Sequence, residues 1–285
     1  MLPNPNARHL ACLLLLAGLS ACRQSGEANR EADVNASQPV ENAPSAVPLP
    51  KPPMDRAALL LTVAQARSAA AAGTDDREAQ RALDGKEFEL RIRFGCEGSA
   101  PGDEKKPALS WSIDPKSGVL RLRAAPDLSE DSEVAKGLQG VEAVEGFWLS
   151  RPWLLNAACP AKPAPRGDQP IEEEPNPAST PIEPTGAAPK VGIAQFFTAT
   201  DPRTTRRDHR PYETVEKRDP RAPIGTQGFD LVLSGRLRML PEERVVRCVA
   251  SAPDLPPACV ISAQFDHVWI DDAATRQRIA DWSSS

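Results

Sequence analysis

Between residues 87 and 94 the chain alternates strictly, with Phe88, Leu90, Ile92 and Phe94 interleaved with Glu87, Glu89, Arg91 and Arg93. A period of two puts the two sets on opposite faces of a strand, one apolar and one charged, that ends at Cys96. Residues 108–113 and 119–123 flank Asp114-Pro115-Lys116-Ser117-Gly118. That turn chemistry predicts a hairpin with Leu120 and Leu122 facing in and Arg121 and Arg123 facing out. The densest apolar cluster spans residues 145–155 and holds Phe147, Trp148, Leu149, Trp153 and Leu154. Pro152 makes its middle an edge or a bend. Strand patterns return over residues 191–198, 229–240, 245–249, 260–270 and 276–282, with a bulge expected at Gly235. The charged stretch 201–221 interrupts them and is expected to hold no strand.

Helical spacing precedes the strands. Asp55 stands as N-cap to a helix running to Ala72, with Leu59, Leu60, Val63 and Ala66 on one side and Gly73 just past the end. A shorter helix is expected over residues 77–83, closed by Gly85. The segment 55–84 is read as an appendage that packs on the sheet or stands as a stalk. Short strands at this spacing predict a mainly β fold, a β-sandwich or open barrel of short antiparallel strands, with an N-terminal helix. Residues 85–161 form a first β cluster and 191–285 a second, in one domain or two. Two Pro-rich segments, 22–54 and 162–190, lack core material and are expected to be disordered, the first as a tether and the second as an acidic linker or excursion.

The start of the chain changes the picture. Residues 1–9 are polar and carry Arg8, and 10–19 form an apolar run too short to span a bilayer, the layout of a secretory signal over residues 1–21. Leu19, Ser20, Ala21 and Cys22 resemble the lipobox of bacterial lipoproteins. The resemblance implies that Cys22 carries lipid, palmitate included, and becomes the first mature residue. Arg23 in place of the aspartate that often retains such proteins in the inner membrane implies the outer membrane, on the periplasmic side of the envelope.

Composition adds exclusions. The 285 residues include 30 prolines, about twice average usage. The formal charge of −5 becomes −6 when Arg8 leaves with the signal, which provides no footprint for a nucleic-acid partner. Of six cysteines, Cys12 leaves with the signal and Cys22 is blocked by lipid, so Cys96, Cys159, Cys248 and Cys259 remain. Four thiols permit three pairings. Cys248 ends one predicted strand and Cys259 begins the next, which favours that bridge and leaves Cys96 with Cys159.

No phosphate loop, metal-binding spacing or dinucleotide fingerprint occurs in the sequence, so no cofactor is implied. Only His209 and His267 survive maturation. His267 shares a strand register with Ile261, Ala263, Phe265 and Trp269 and is read as a core histidine, whereas His209 falls in a charged loop. The Asp208-His209 and Asp266-His267 neighbours invite a hydrolase reading, but no Gly-x-Ser-x-Gly elbow supplies a nucleophile. Arg203, Arg206, Arg207 and Arg210 form the one candidate anion-binding group, suited to an anionic envelope polymer or an acidic protein, although Asp201, Asp208 and Glu213 dilute its field. The expectation is a non-enzymatic binding or accessory structural lipoprotein, held to a membrane by its N-terminal lipid; the alternative is a periplasmic hydrolase using His209 or His267.

Overall fold

The computed structural model describes residues 51–100, 107–160, 189–218, 227–252 and 255–283. The lipobox, the tether up to residue 50 and the Pro-rich segment 161–188 lie outside the described residues. In chain order the elements are α1 (Arg56–Ala72), α2 (Arg77–Arg81), β1 (Glu87–Phe94), β2 (Leu109–Ile113), β3 (Val119–Ala124), β4 (Val141–Trp148), β5 (Val191–Thr198), β6 (Tyr212–Lys217), β7 (Phe229–Leu237), β8 (Val246–Val249), β9 (Ala258–Asp272) and β10 (Arg278–Ser283). The fold is mainly β: a seven-stranded sheet and a three-stranded sheet of order β2-β3-β6, with α1 packed against the larger one.

β9 is the spine of the large sheet. β7 and β8 lie in line along one of its edges, since the Ser262 carbonyl accepts from Arg238 N–H while the Ser262 N–H donates to Val245. β5 and β10 take the other edge, and β1 and β4 close the outer flanks. β1 and β4, from before residue 162, flank the strands that come after it in the same sheet, so the described residues from 51 onward form one unit. The expectation of short antiparallel strands needs two corrections. β9 is 15 residues long, and β5 runs parallel to it from Val191↔Cys259 to Ala194↔Ser262.

α1 forms where the caps indicate. Asp55 Oδ1 accepts from Ala58 N–H at 2.9 Å, and Gly73 ends the helix in the left-handed region with φ of 64°. Leu59, Leu60, Val63 and Ala66 enter the main core, which also takes the inner faces of β1, β7, β9 and β3. The helix is therefore part of the core rather than a stalk. A smaller apolar cluster of Leu128, Val134, Ala135, Val144, Ala194, Ala258 and Val260 covers the far side of β4, β5 and the first residues of β9.

Both flanks of the large sheet are capped, which removes templates for edge pairing. Beside β1, Met54 bridges Phe88, Arg56 donates to the Arg91 carbonyl and Ser150 Oγ donates to the Arg93 carbonyl. Beside β4, Leu128 bridges Gly146 and Asp127 Oδ1 accepts from Trp148 N–H.

Three further expectations change. β6 lies inside the stretch expected to hold no strand, paired to β3 from Val119↔Lys217 to Ala124↔Tyr212. β4 starts four residues earlier than the cluster 145–155 and stops at Trp148; Arg151 then adopts φ of 50° ahead of Pro152. Trp153 consequently lies outside the core. Finally, His267 is not a core histidine. Ser234 pairs with His267 but Gly235 pairs with Phe265, which makes Asp266 an extra residue in β9 and reverses its alternation. The bulge expected at Gly235 thus has its extra residue on the opposite strand. A Cβ on Gly235 would collide with the Gln264 carbonyl, so glycine is what allows the strands to close there.

Candidate functional site

The outer face of β1, β7, β9 and β10 carries ordered rows of side chains. One row reads Arg93, Asp230, Asp271, Arg278, and the next reads Arg91, Val232, Trp269, Asp281. Two aspartates directly opposite each other repel. Here Arg93 meets Asp230 at 2.6 and 3.2 Å, Arg276 adds a contact at 3.1 Å, and Arg91 meets Asp271 at 2.8 Å. Trp269 donates its indole N–H to Asp271 at 3.1 Å and lies beneath Arg278, 4.5 Å from ring centroid to guanidinium. Asp230 is 0% exposed and Arg93 7%. The charges satisfy one another, the arrangement of a structural ion-pair lattice.

His267 belongs to this face, half-buried, with its ring 5.2 Å from Trp269 and Nε2 4.0 Å from Asp281. His209 is elsewhere, in the loop before β6, with Nε2 3.3 Å from Glu130. Among the described residues neither imidazole is bonded to a hydroxyl or a thiol, and no group of three or more His, Cys, Asp or Glu side chains is placed to hold a metal ion.

The arginine loop is organised around an anion of its own. Glu145 on β4 is buried and accepts the backbone N–H groups of Arg207 (3.2 Å) and His209 (3.4 Å), where Asp208 and His209 both adopt positive φ. Successive amides in that conformation form an anion-binding nest. Arg206 bonds the Thr198 carbonyl and Glu142, Arg207 stacks on Tyr212 at 4.1 Å, and Arg210 donates to the Arg207 carbonyl. Arg203 remains exposed at the start of a short 3-10 turn. The four residues are near one another, but three of the guanidinium groups already serve internal partners or a ring.

A cleft at the end of β1 has the better form for a ligand. It measures about 580 Å³ and is lined by Trp111, Trp148, Asp127, Ser150, Arg151 and the Gly95–Ala100 turn. Ligand pockets commonly fall between about 300 and 1,000 Å³. Trp111 is fixed by packing on Phe229 at 5.8 Å and by donating its indole N–H to the Gly95 carbonyl at 3.2 Å. Gly95, at φ of 74°, leaves no side chain in the place the indole occupies. The Cys96–Cys159 disulfide closes one end, and Arg151 donates to the Ala158 carbonyl across it. The tip of Asp127 opens toward the cleft, yet desolvation by the surrounding protein raises its carboxyl above the ordinary range, the Trp148 N–H opposing that in part. Two indoles, a guanidinium and a carboxyl line this cleft, a set of groups chemically suited to an amphipathic molecule. None of its residues was singled out from sequence for that role, because they come from four separate segments.

The second disulfide joins Cys248 to Cys259 across β8 and β9, so the bridge expected from the strand ends and the one left by elimination, Cys96–Cys159, are both present. Two disulfides mark a chain that folds in an oxidising, extracytoplasmic environment. No family model, curated protein or solved structure matches the chain.

Proposed function

We propose that this protein is a lipid-anchored binding protein of the bacterial cell envelope, and that the Trp111–Trp148 cleft holds its ligand. The cleft carries the reading. It is preformed, its walls are tied by a disulfide and an edge-capping carboxylate, and it presents aromatic faces beside one cation. Such a surface suits a molecule with an apolar face and a hydrogen-bonding edge, the chemistry of envelope glycan–peptide polymers. Lipidation at Cys22 follows from the lipobox, with the outer membrane as its destination, and the chain from residue 22 to the Met54 junction serves as the tether. The large sheet and the three-stranded sheet, which share the core around Leu120, Leu122 and Phe229, are read as an incomplete β-sandwich.

The test has two arms. In cells, Cys22→Ala abolishes palmitate incorporation; label that persists in the variant refutes the anchor. In vitro, soluble disaccharide-peptide fragments of peptidoglycan change the tryptophan fluorescence of the unlipidated chain, and Arg151→Ala weakens that titration about tenfold, as expected for loss of a charge-assisted hydrogen bond. Fluorescence that ignores the fragments, or a response equal in Arg151→Ala, removes the cleft from the proposal.

A further inference from the structure

Five large apolar side chains are exposed among the described residues: Leu61, Trp153, Leu155, Val215 and Leu255. Scattered single exposures are ordinary on any protein. Trp153 and Leu155 differ because they flank Leu154 in one short loop, 50% and 58% exposed. That loop is unusually well secured. Arg56, only 6% exposed, donates to the carbonyls of Ser150 (2.9 Å), Arg151 (3.1 Å) and Leu154 (2.9 Å), and the Cys96–Cys159 bridge ties down its far end. Arg56 has no carboxylate partner among the described residues, so its buried charge is devoted to backbone carbonyls of this loop and of Arg91. Fixing a loop this firmly while leaving its indole and its leucine in water favours insertion into something apolar, because the ordering cost has already been met in folding.

The place of the loop indicates what that something is. The chain ahead of the folded unit arrives through exposed Lys51, Pro52 and Pro53, Met54 bridges β1, and Arg56 holds the loop. The loop therefore sits where the N-terminal chain enters the domain. Arg151, within the loop itself, adds cationic charge there. We propose that residues 150–155 form a membrane-contacting element, Trp153 and Leu155 inserting into the interfacial layer of an anionic lipid bilayer. Tryptophan settles in that layer because its ring is apolar and its N–H is polar, and basic residues draw the loop to anionic headgroups. The proposal rests on the anchor proposed above for its biological setting. Contact by one such loop is weak, and the anchor supplies the high local concentration that makes it persistent. Arg151 also lines the cleft, so the ligand site then opens beside the lipid surface.

The experiment uses the mature chain with Cys22→Ser, which carries no lipid, and vesicles of phosphatidylglycerol and phosphatidylethanolamine at low ionic strength. The chain co-sediments with the vesicles, and a Trp153→Ala/Leu155→Ala variant with an unchanged thermal midpoint partitions about tenfold less or weaker still. Equal partitioning of parent and variant overturns the proposal, as does a parent that stays in the supernatant at every lipid concentration. A variant that instead loses a dimer present in the parent also overturns it, since the loop would then join two copies. Palmitate incorporation at Cys22 in cells is scored separately. Label without loop-dependent partitioning defeats this inference alone, and loop-dependent partitioning without label defeats only the anchor.

Discussion

Asp230 and Leu231 are neighbours in β7 and point to opposite faces of one sheet, both fully removed from solvent. On the inner face Leu231 lies between Ile92 and Ile270 in a continuous apolar layer that α1 and the small sheet cover. On the outer face no layer of the described residues lies over Asp230; among them its burial is achieved by Arg93, Arg276 and Arg91. The comparison separates two ways of finishing a sheet. One excludes water with a second layer of structure, the other with long cationic side chains folded down over short anionic ones, their aliphatic stems serving as the cover. The two should fail differently, through an opened void on the inner face and through an unpaired charge on the outer one.

The largest effect is expected on the ionic face. Asp230→Ala leaves the buried Arg93 guanidinium without its carboxylate and should cost about 4 kcal/mol in urea denaturation. A loss under about 1 kcal/mol would show that the arginines can turn out to water, and the distinction between the faces would collapse. Leu231→Ala should cost about 3 kcal/mol through reduced burial and a residual cavity. Its cost should barely change between low and high salt, whereas that of Asp230→Ala should shift.

Tyr212 offers a pH test of the apolar side. Burial against Phe147 and Trp282 raises its pKa to about 12, with the Arg207 charge opposing the shift. A phenol that ionises less readily in the folded chain than in the unfolded one stabilises the fold fully below pH about 10. That contribution, on the order of 2 kcal/mol, is lost as pH rises from about 10 through about 12. Tyr212→Phe should flatten this alkaline decline, and identical pH–stability curves would contradict the assignment. The smallest effect is expected at His267, on the ionic face but half-buried and without a short contact to a carboxylate. His267→Ala should change stability by under about 0.5 kcal/mol; a loss near 3 kcal/mol would restore the core reading.

How far each feature could be read in advance follows from how local its cause is. α1, the β2–β3 hairpin and the in-out pattern of β1 are each determined within a few residues by caps, a turn or strict alternation. β6 escaped because its pattern is inverted. Glu216 lies opposite Leu120 and Thr214 opposite Leu122 on the core side, while Val215 faces water. An edge strand of that kind has no apolar period to detect. His267 was misplaced by one residue of register, since the local pattern cannot show which strand of a pair holds the bulge. The alternation of β1 shows that one face is charged but not that Arg93 is buried, because the aspartate responsible lies 137 residues away. The cleft is harder still, since Trp111, Asp127, Trp148 and Arg151 meet only after β1, β2 and β4 are in place.

The junction at Met54 also has a mechanical side. Its N–H donates to the Glu87 carbonyl and its carbonyl accepts from Glu89, so it lies parallel to β1. Traction applied from the N-terminal side along that direction loads both bonds together in shear instead of peeling them in turn. Any displacement that gets past them next strains the Arg56 clamp and, through Ser150 and Arg151, the wall of the cleft. The first strand contact of the N-terminal segment and the wall of the cleft are thereby connected through one guanidinium.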